Sequence, residues 1–152
     1  MTNEALKETL TALLPAATFE EGGEFVTVNV EAAAWKAFAR HLLCDESLQF
    51  DFLGFCTCID WKTHLTMVYH LDSLSRNHNL VVHVKLPADQ PVVDTVCDLW
   101  QTAAFHEREV YELFGVQFSG HPDLRLLILP EGWEGKNPLR KDFDDPVNMI
   151  RL

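Results

Sequence analysis

The chain has 152 residues, of which 47% are hydrophobic and 23% are charged, a composition typical of one globular domain. Its formal net charge of −11 argues against nucleic acid and anionic lipid as partners, because both would repel it. The sequence contains neither an apolar run long enough to cross a bilayer nor a secretory signal at its N-terminus. We therefore expect one domain that stays in the cytosol or reaches a membrane only through other proteins.

Hydrophobic periodicity predicts two helices in the first third of the chain, over residues 2–14 and 31–43. Pro15 ends the first helix, and a strand over residues 25–30 lies between the two. Trp35 belongs to the apolar face of the second helix. This region therefore predicts helices packed on a sheet.

Three strands are predicted next, over residues 50–61, 64–71 and 80–86. A hairpin over residues 61–64 joins the first two. The third strand alternates most regularly, with four apolar side chains on one face, at Leu80, Val82, Val84 and Leu86. These strands predict the centre of an antiparallel or mixed sheet.

A long helix is predicted over residues 92–114, with Gly115 as its C-terminal stop. Proline and glycine interrupt the chain after Gly115, apart from a short apolar run at residues 126–129. The element order predicts an α+β, two-layer fold with a mixed or antiparallel sheet and helices on one face. We expect an α+β body over residues 1–115 and an extended, irregular C-terminal tail over residues 116–152, within a single domain.

Glu107 falls in the middle of the apolar face of the last helix, where an unpaired carboxylate would cost several kcal/mol. We expect Arg125 or Arg140 to be its partner after the chain folds back. Arg108 and Glu112 are four residues apart and are predicted to pair on the helix surface.

Two interpretations of this acidic group stay open. Glu107 or Glu109 could act as a general acid or base, or the glutamates could hold the tail against the helix, which we favour. His121, in a turn at residues 120–123, is expected to be a hydrogen-bonding prop. Trp133 lies near arginines in an irregular segment, a composition typical of an interface anchor.

Metal binding is not expected from the cysteines and histidines. Cys56 and Cys58 would lie on one face of a strand, but the sequence around them offers no second pair of ligands. The seven histidines form no HExxH spacing. In a cytosolic chain, the four cysteines are more typical of buried thiols than of disulfides.

Residues 105–143 contain a dense series of charged, aromatic, Gly and Pro positions that resembles the C-subunit family of the respiratory NADH:quinone oxidoreductase (complex I). Glu112, Leu126 and Phe105 depart from the family pattern, which usually has Asp, a second Arg and Trp there. The matching residues are Glu107, Arg108, Glu109, Phe114, Gly115, Gly120, His121, Pro122, Arg125, Pro130, Trp133, Gly135, Pro138, Leu139, Arg140, Lys141 and Asp142.

The resemblance implies a non-redox, non-catalytic structural subunit in the peripheral arm of a proton-translocating complex. It would pack against the D-subunit of complex I near the iron–sulfur subunits and the quinone region, on the cytoplasmic side of the bacterial inner membrane. FMN, iron–sulfur clusters and quinone would be bound by other subunits. The tail would lie along the D-subunit, anchored by Trp133 and Leu139, with charged contacts from Arg125, Arg140 and Lys141.

Three alternatives remain. The chain could be the equivalent subunit of a membrane-bound hydrogenase or of a deazaflavin- or ferredoxin-dependent dehydrogenase. It could be a stand-alone acid–base enzyme using Glu107, Glu109 and His121. It could also be an adaptor that binds a peptide along a sheet edge.

Overall fold

A computed structural model describes residues 1–150 of the protein and confirms an α+β fold with a five-stranded mixed sheet and three helices. No helix in this described part is long and apolar enough to span a membrane. In chain order the elements are α1 (Asn3–Leu13), β1 (Thr18–Glu20), β2 (Thr27–Glu31), α2 (Ala32–Cys44), β3 (Phe52–Asp60), β4 (His64–Ser73), β5 (His78–Pro87), β6 (Val92–Asp94), α3 (Ala103–Phe114) and β7 (Gln117–Ser119).

The large sheet has the strand order β1-β2-β5-β4-β3. The β2–β5 pair is parallel and the other pairs are antiparallel. The predicted alternation in β5 is confirmed, because Leu80, Val82, Val84 and Leu86 are buried. They share one core with β4 and with apolar residues from all three helices. The short strand β1, which sequence periodicity did not reveal, adds an edge to the sheet.

Local chemistry fixes the ends of several elements. The Thr2 side chain accepts the Ala5 N–H at the start of α1. In the hairpin between β3 and β4, Lys62 has a φ of 68° and the Trp61 N–H donates to the His64 carbonyl over 3.0 Å. The predicted hairpin at residues 61–64 is therefore confirmed.

The predicted helix over residues 92–114 is wrong in its first half. Val92–Asp94 is a strand that pairs in parallel with Gln117–Ser119, and α3 begins only at Ala103. The misleading signal came from Val93, Val96 and Trp100, which are buried without being helical. Burial at a spacing near 3.6 residues cannot separate a helix from a strand and turns packed on the same core. Tertiary pairing with β7 decides the outcome.

The segment after Gly115 folds back on the body. Gly115 closes α3 in the left-handed conformation, with φ of 78°, as its position predicts. Residues 117–119 form the second strand of the two-stranded sheet. We call residues 120–150 the strap, because segments of it lie along α3 and at its C-terminal end. The division into a body and a tail at residue 115 stays a prediction.

Candidate interaction site: the strap on helix α3

Arg108 attaches the first part of the strap to α3. Its Nε and Nη2 atoms donate to the backbone carbonyls of Arg125 and Leu126, over 3.2 and 2.6 Å. The side chain is buried by this contact. Because Arg108 bonds to two backbone carbonyls, this contact depends on the position of the strap backbone and not on the side chains that the strap carries.

Glu112 binds the residues that follow. Its carboxylate accepts the successive N–H groups of Leu127, Ile128 and Leu129 at 2.8–3.2 Å, and only 1% of the residue is exposed. Three converging backbone donors compensate a buried negative charge. The predicted Arg108–Glu112 surface pair is therefore wrong, because both side chains are buried and bind the strap.

The side chains of this part of the strap remain free to make other contacts. Ile128 is 68% exposed and Leu127 is 37% exposed, although their backbone N–H groups are bonded to Glu112. In this segment the backbone is held by Glu112 while the apolar side chains of Leu127 and Ile128 face outward. Exposed apolar side chains on an ordered segment are typical of protein-binding surfaces.

A second attachment lies at the C-terminal end of α3. The Leu139 N–H donates to the Leu113 carbonyl over 3.0 Å. Arg140 donates to the carbonyls of Phe114 and Ala88, over 3.3 and 2.8 Å. The bonds to Leu113 and Phe114 satisfy carbonyls that a helix end leaves without an intrahelical partner, and a cation there is favoured by the helix dipole.

The close approach of the strap explains why residue 115 is glycine. A Cβ atom on Gly115 would lie only 2.5 Å from Asn137 Nδ2, in addition to the penalty of a positive φ. Glycine therefore serves both the helix cap and the packing of the strap.

Asp60, at the end of β3, is a site residue that the sequence interpretation missed as a strap contact. Its Oδ2 accepts the Lys141 N–H and its Oδ1 accepts the Lys62 N–H, each over 2.8 Å. Burial alone would raise the pKa of Asp60, but these donors and the positive charge of Arg140 hold the pKa below its usual value.

Glu107 is fully buried, as its position in the apolar pattern predicts, but its partners differ from those predicted. The Thr95 hydroxyl donates to Oε2 over 2.5 Å and the Val96 N–H donates to Oε1 over 2.8 Å. Burial raises the pKa of Glu107 to about 7, although these hydrogen bonds oppose the shift. The expected pairing with Arg125 or Arg140 is wrong.

The two arginines act elsewhere. Arg125 is largely exposed and binds both carboxylate oxygens of Asp123, at 2.9 and 3.0 Å. Arg140 is used at the end of α3, where its Nε also lies 3.7 Å from Asp142. Neither guanidinium is bonded to Glu107 in these contacts.

His121 is placed as a structural prop. Its Nε2–H donates to the Ala104 carbonyl over 3.0 Å, and its Nδ1 accepts the Asp123 N–H over 3.0 Å. This assignment describes a neutral ring with both nitrogens engaged. Nε2 also lies 3.8 Å from Glu107 Oε2.

Metal binding would have to use one cluster in the described part of the chain, where ligand atoms of Cys97, Glu107 and His121 lie within 4.8 Å of one another. The hydrogen bonds of His121 leave no free ring nitrogen for an ion. This cluster therefore fits a hydrogen-bonded core better than a metal centre.

The cysteine pair on β3 lies outside that cluster. Burial raises the pKa of the Cys58 thiol to about 12 and that of Cys56 well above its usual value, which disfavours the thiolate form that binds metal ions.

The remaining residues singled out from the sequence are spread over the strap and α3. Trp133 is half-buried, with its ring 6.4 Å from that of Phe143 and the Lys136 Nζ 4.6 Å from its centre. Leu139 is 54% exposed. Phe114 is buried, Glu109 and Pro138 are half-buried, and the exposed positions are Pro122, Lys141 and Asp142.

Comparison with known proteins identifies the class. A family model described as "Respiratory-chain NADH dehydrogenase, 30 Kd subunit" matches residues 28–147. The chain therefore belongs to this family, and the match covers the residues that attach the strap: Asp60, Arg108, Glu112 and Arg140. The predicted resemblance to the C-subunit family of complex I is confirmed.

Three relatives define the similarity further. The C-subunit of the NADH-quinone oxidoreductase of Chloroherpeton thalassium is 39% identical over 78% of this chain and 49% of its own length. A joint C/D-subunit of the same kind of enzyme from Phocaeicola vulgatus is 38% identical over 82% of this chain and 24% of its own length. The C-subunit of the F(420)H(2) dehydrogenase of Methanosarcina mazei is 36% identical over 90% of this chain and 89% of its own length. The chain thus spans about half of the first relative and a quarter of the second.

Two solved structures share the fold. The trypsin-resistant fragment (1-134) of Nqo5 has a TM-score of 0.70 and 32% identity, covering 82% of this chain and 100% of the fragment. A chain of the membrane-bound sulfane sulfur reductase, an archaeal respiratory membrane complex, has a TM-score of 0.81 and 27% identity. That match covers 93% of this chain and 85% of the other.

Proposed function

We propose that the chain is a non-redox structural subunit in the peripheral arm of a proton-translocating NADH:quinone oxidoreductase, where it packs against the D-subunit near the iron–sulfur subunits. The observation that carries this proposal is the strap, which is fixed to α3 by its backbone and exposes Ile128 and Leu139. Exposed apolar side chains on an ordered segment favour a protein partner. FMN, iron–sulfur clusters and quinone would belong to other subunits.

The partnership with the D-subunit is supported by the relative from Phocaeicola vulgatus, whose name joins the C- and D-subunits in one chain. Fusion places two domains at high effective concentration, as expected for domains that work in contact. We place the protein on the cytoplasmic side of the bacterial inner membrane, with membrane contact only through its partners.

The test is co-purification. A tagged chain is recovered from gently solubilised native membranes, and its partners are identified by mass spectrometry. We expect the D-subunit and the iron–sulfur subunits in stoichiometric amounts, together with the NADH-oxidising module. Recovery of the chain alone, from membranes that contain the assembled complex, would contradict the proposal.

A second candidate is the equivalent subunit of a dehydrogenase that uses reduced deazaflavin, or of a related membrane-bound hydrogenase. It is supported by the Methanosarcina mazei protein, a subunit of an F(420)H(2) dehydrogenase that is 36% identical over 90% of this chain. The same co-purification separates the two candidates by the electron-donor module recovered with the chain.

A stand-alone acid–base enzyme is less well supported. Glu107 and His121 lie together, but both side chains are buried. The cavity of about 570 Å³ beside them is lined by Lys36, Cys97 and Gly120 rather than by these two residues. A general acid or base must reach its substrate, and this placement does not provide access.

A further inference from the structure

Glu107 joins three segments that are distant along the chain. It belongs to α3, it accepts hydrogen bonds from Thr95 and Val96 in the connection between β6 and α3, and it lies 3.8 Å from His121 at the beginning of the strap. His121 in turn bonds to Ala104, in the first turn of α3. The Glu107 carboxyl therefore lies between α3, the β6–α3 connection and the first residues of the strap.

Within residues 1–150, the groups around this carboxyl do not supply a free cation to balance its charge. From α2, Lys36 donates to the Thr95 carbonyl over 2.6 Å and pairs with Asp98. From the start of the strap, His121 is held as a neutral ring. The other titratable groups that face Glu107 are Cys97 beside Thr95, Cys56 on β3 and Tyr69 on β4.

We propose that Glu107 is a proton-operated latch, whose neutral carboxyl closes α3, the β6–α3 connection and the beginning of the strap onto one another, and whose ionisation loosens them. The neutral group suits the site, because its two oxygens can still accept from Thr95 and Val96 while no charge is buried. The ionised group is a buried charge. It is compensated only by the neutral donors Thr95 and Val96 and by Lys36, which is already bonded to other groups. Opening of the latch exposes the carboxylate to water and removes this cost.

The direction of the pH effect follows from linkage. The pKa of Glu107 is raised from 4.5 to about 7 when the latch is closed, so the closed state retains the proton that the open state has lost. Below pH 4.5 the contribution to closure is fully present, and it declines as the pH rises to about 7. A difference of two and a half pKa units corresponds to a ~300-fold increase in the opening constant from well below pH 4.5 to well above pH 7, of which ~80-fold falls between pH 4.5 and about 7.

The test is hydrogen exchange of the Val96 and Asp123 amides, with each rate corrected for intrinsic exchange at the same pH. In the wild type we expect the opening constant of both amides to rise ~80-fold between pH 4.5 and about 7. In Glu107→Gln, which imitates the neutral carboxyl, it should not change with pH. Glu109→Gln, on the same helix, should keep the wild-type dependence.

Two results would overturn the latch. A pH-independent opening constant in the wild type is one, and an equal change at the Val82 amide in β5 is the other, because it would mean global unfolding. Should Glu107→Gln fail to fold, carbon-13 NMR of the glutamate carboxyls in the wild type decides. The latch requires one glutamate that titrates near pH 7, and titration of every glutamate near the usual glutamate pKa of 4.5 would contradict it.

Discussion

The body and the strap are stabilised by different interactions. The body buries apolar side chains of the sheet and three helices in one core, so its stability follows from hydrophobic burial and packing. The strap is fixed mainly by side chains of α3 and β3 that bond to its backbone, through Arg108, Glu112 and Asp60. The strap can therefore vary its outward side chains without losing its position, and this freedom suits the docking role that we propose for it.

Truncation in the core of the body should have the largest effect. Met67 in β4 is 0% exposed, and Met67→Ala should lower the free energy of unfolding by about 2–5 kcal/mol because it leaves a cavity. Chemical denaturation followed by far-UV circular dichroism measures the change. Leu74→Ala, at a position that is 72% exposed, should change it by less than about 0.5 kcal/mol. Equal effects at both positions would contradict the assignment of the core.

Loss of the Glu112 carboxylate should release the strap while the body stays folded. Glu112→Gln removes a charged acceptor from three backbone N–H groups, at a cost of about 1–3 kcal/mol to the attachment. We expect faster amide exchange at residues 127–129 with protection in β4 unchanged. The matched control is Glu109→Gln, at a half-buried position on the same helix. Unchanged protection at residues 127–129 would show that Glu112 does not hold the strap.

Substitution at Gly115 should have a smaller effect, with two separable parts. Gly115→Ala meets Asn137 and must adopt a positive φ, which we expect to cost about 1–3 kcal/mol. Adding Asn137→Ala removes the contact and should restore part of the loss, leaving about 1 kcal/mol from the backbone conformation. Thermal unfolding of the two single variants and the double variant measures both parts. Full additivity of the two single effects would contradict the close approach of the strap.

The smallest effect on stability is expected at the exposed apolar side chains of the strap. Ile128→Ser should change the free energy of unfolding by less than about 0.5 kcal/mol, because the side chain is 68% exposed in the free chain. Thermal unfolding of the isolated chain provides the measurement. A loss above about 1.4 kcal/mol, or tenfold in the equilibrium constant, would mean that Ile128 packs on the body instead of facing outward.

The sequence predicted the body well and the site only in part. Regular alternation at Leu80, Val82 and Val84 identified β5, because a sheet with one buried face imposes a period of two. The pattern misled at residues 92–102, because Val93, Val96 and Trp100 have a nearly helical spacing but are buried in a strand and turns. The decisive pairing with residues 117–119 is distant along the chain and has no local signal.

Within the site, the sequence correctly identified a buried carboxylate at Glu107 and a glycine cap at Gly115. It assigned the wrong partners to the charged residues. Attraction between opposite charges was the only rule available from spacing, whereas Arg108 and Glu112 bind carbonyl and N–H groups of the backbone. Every residue carries a carbonyl group and all but proline an N–H, so no pattern of residue types reveals which of them a side chain will reach.

The most direct test of the strap as a docking surface is recovery of the D-subunit with a tagged chain that carries Ile128→Ser and Leu139→Ser. Both side chains are more than half exposed, at 68% and 54%, so the isolated variant should fold normally. We predict that the double variant loses the D-subunit, whereas the wild type and a Leu74→Ser control recover it. Recovery of the D-subunit with the folded double variant in wild-type yield would contradict the account.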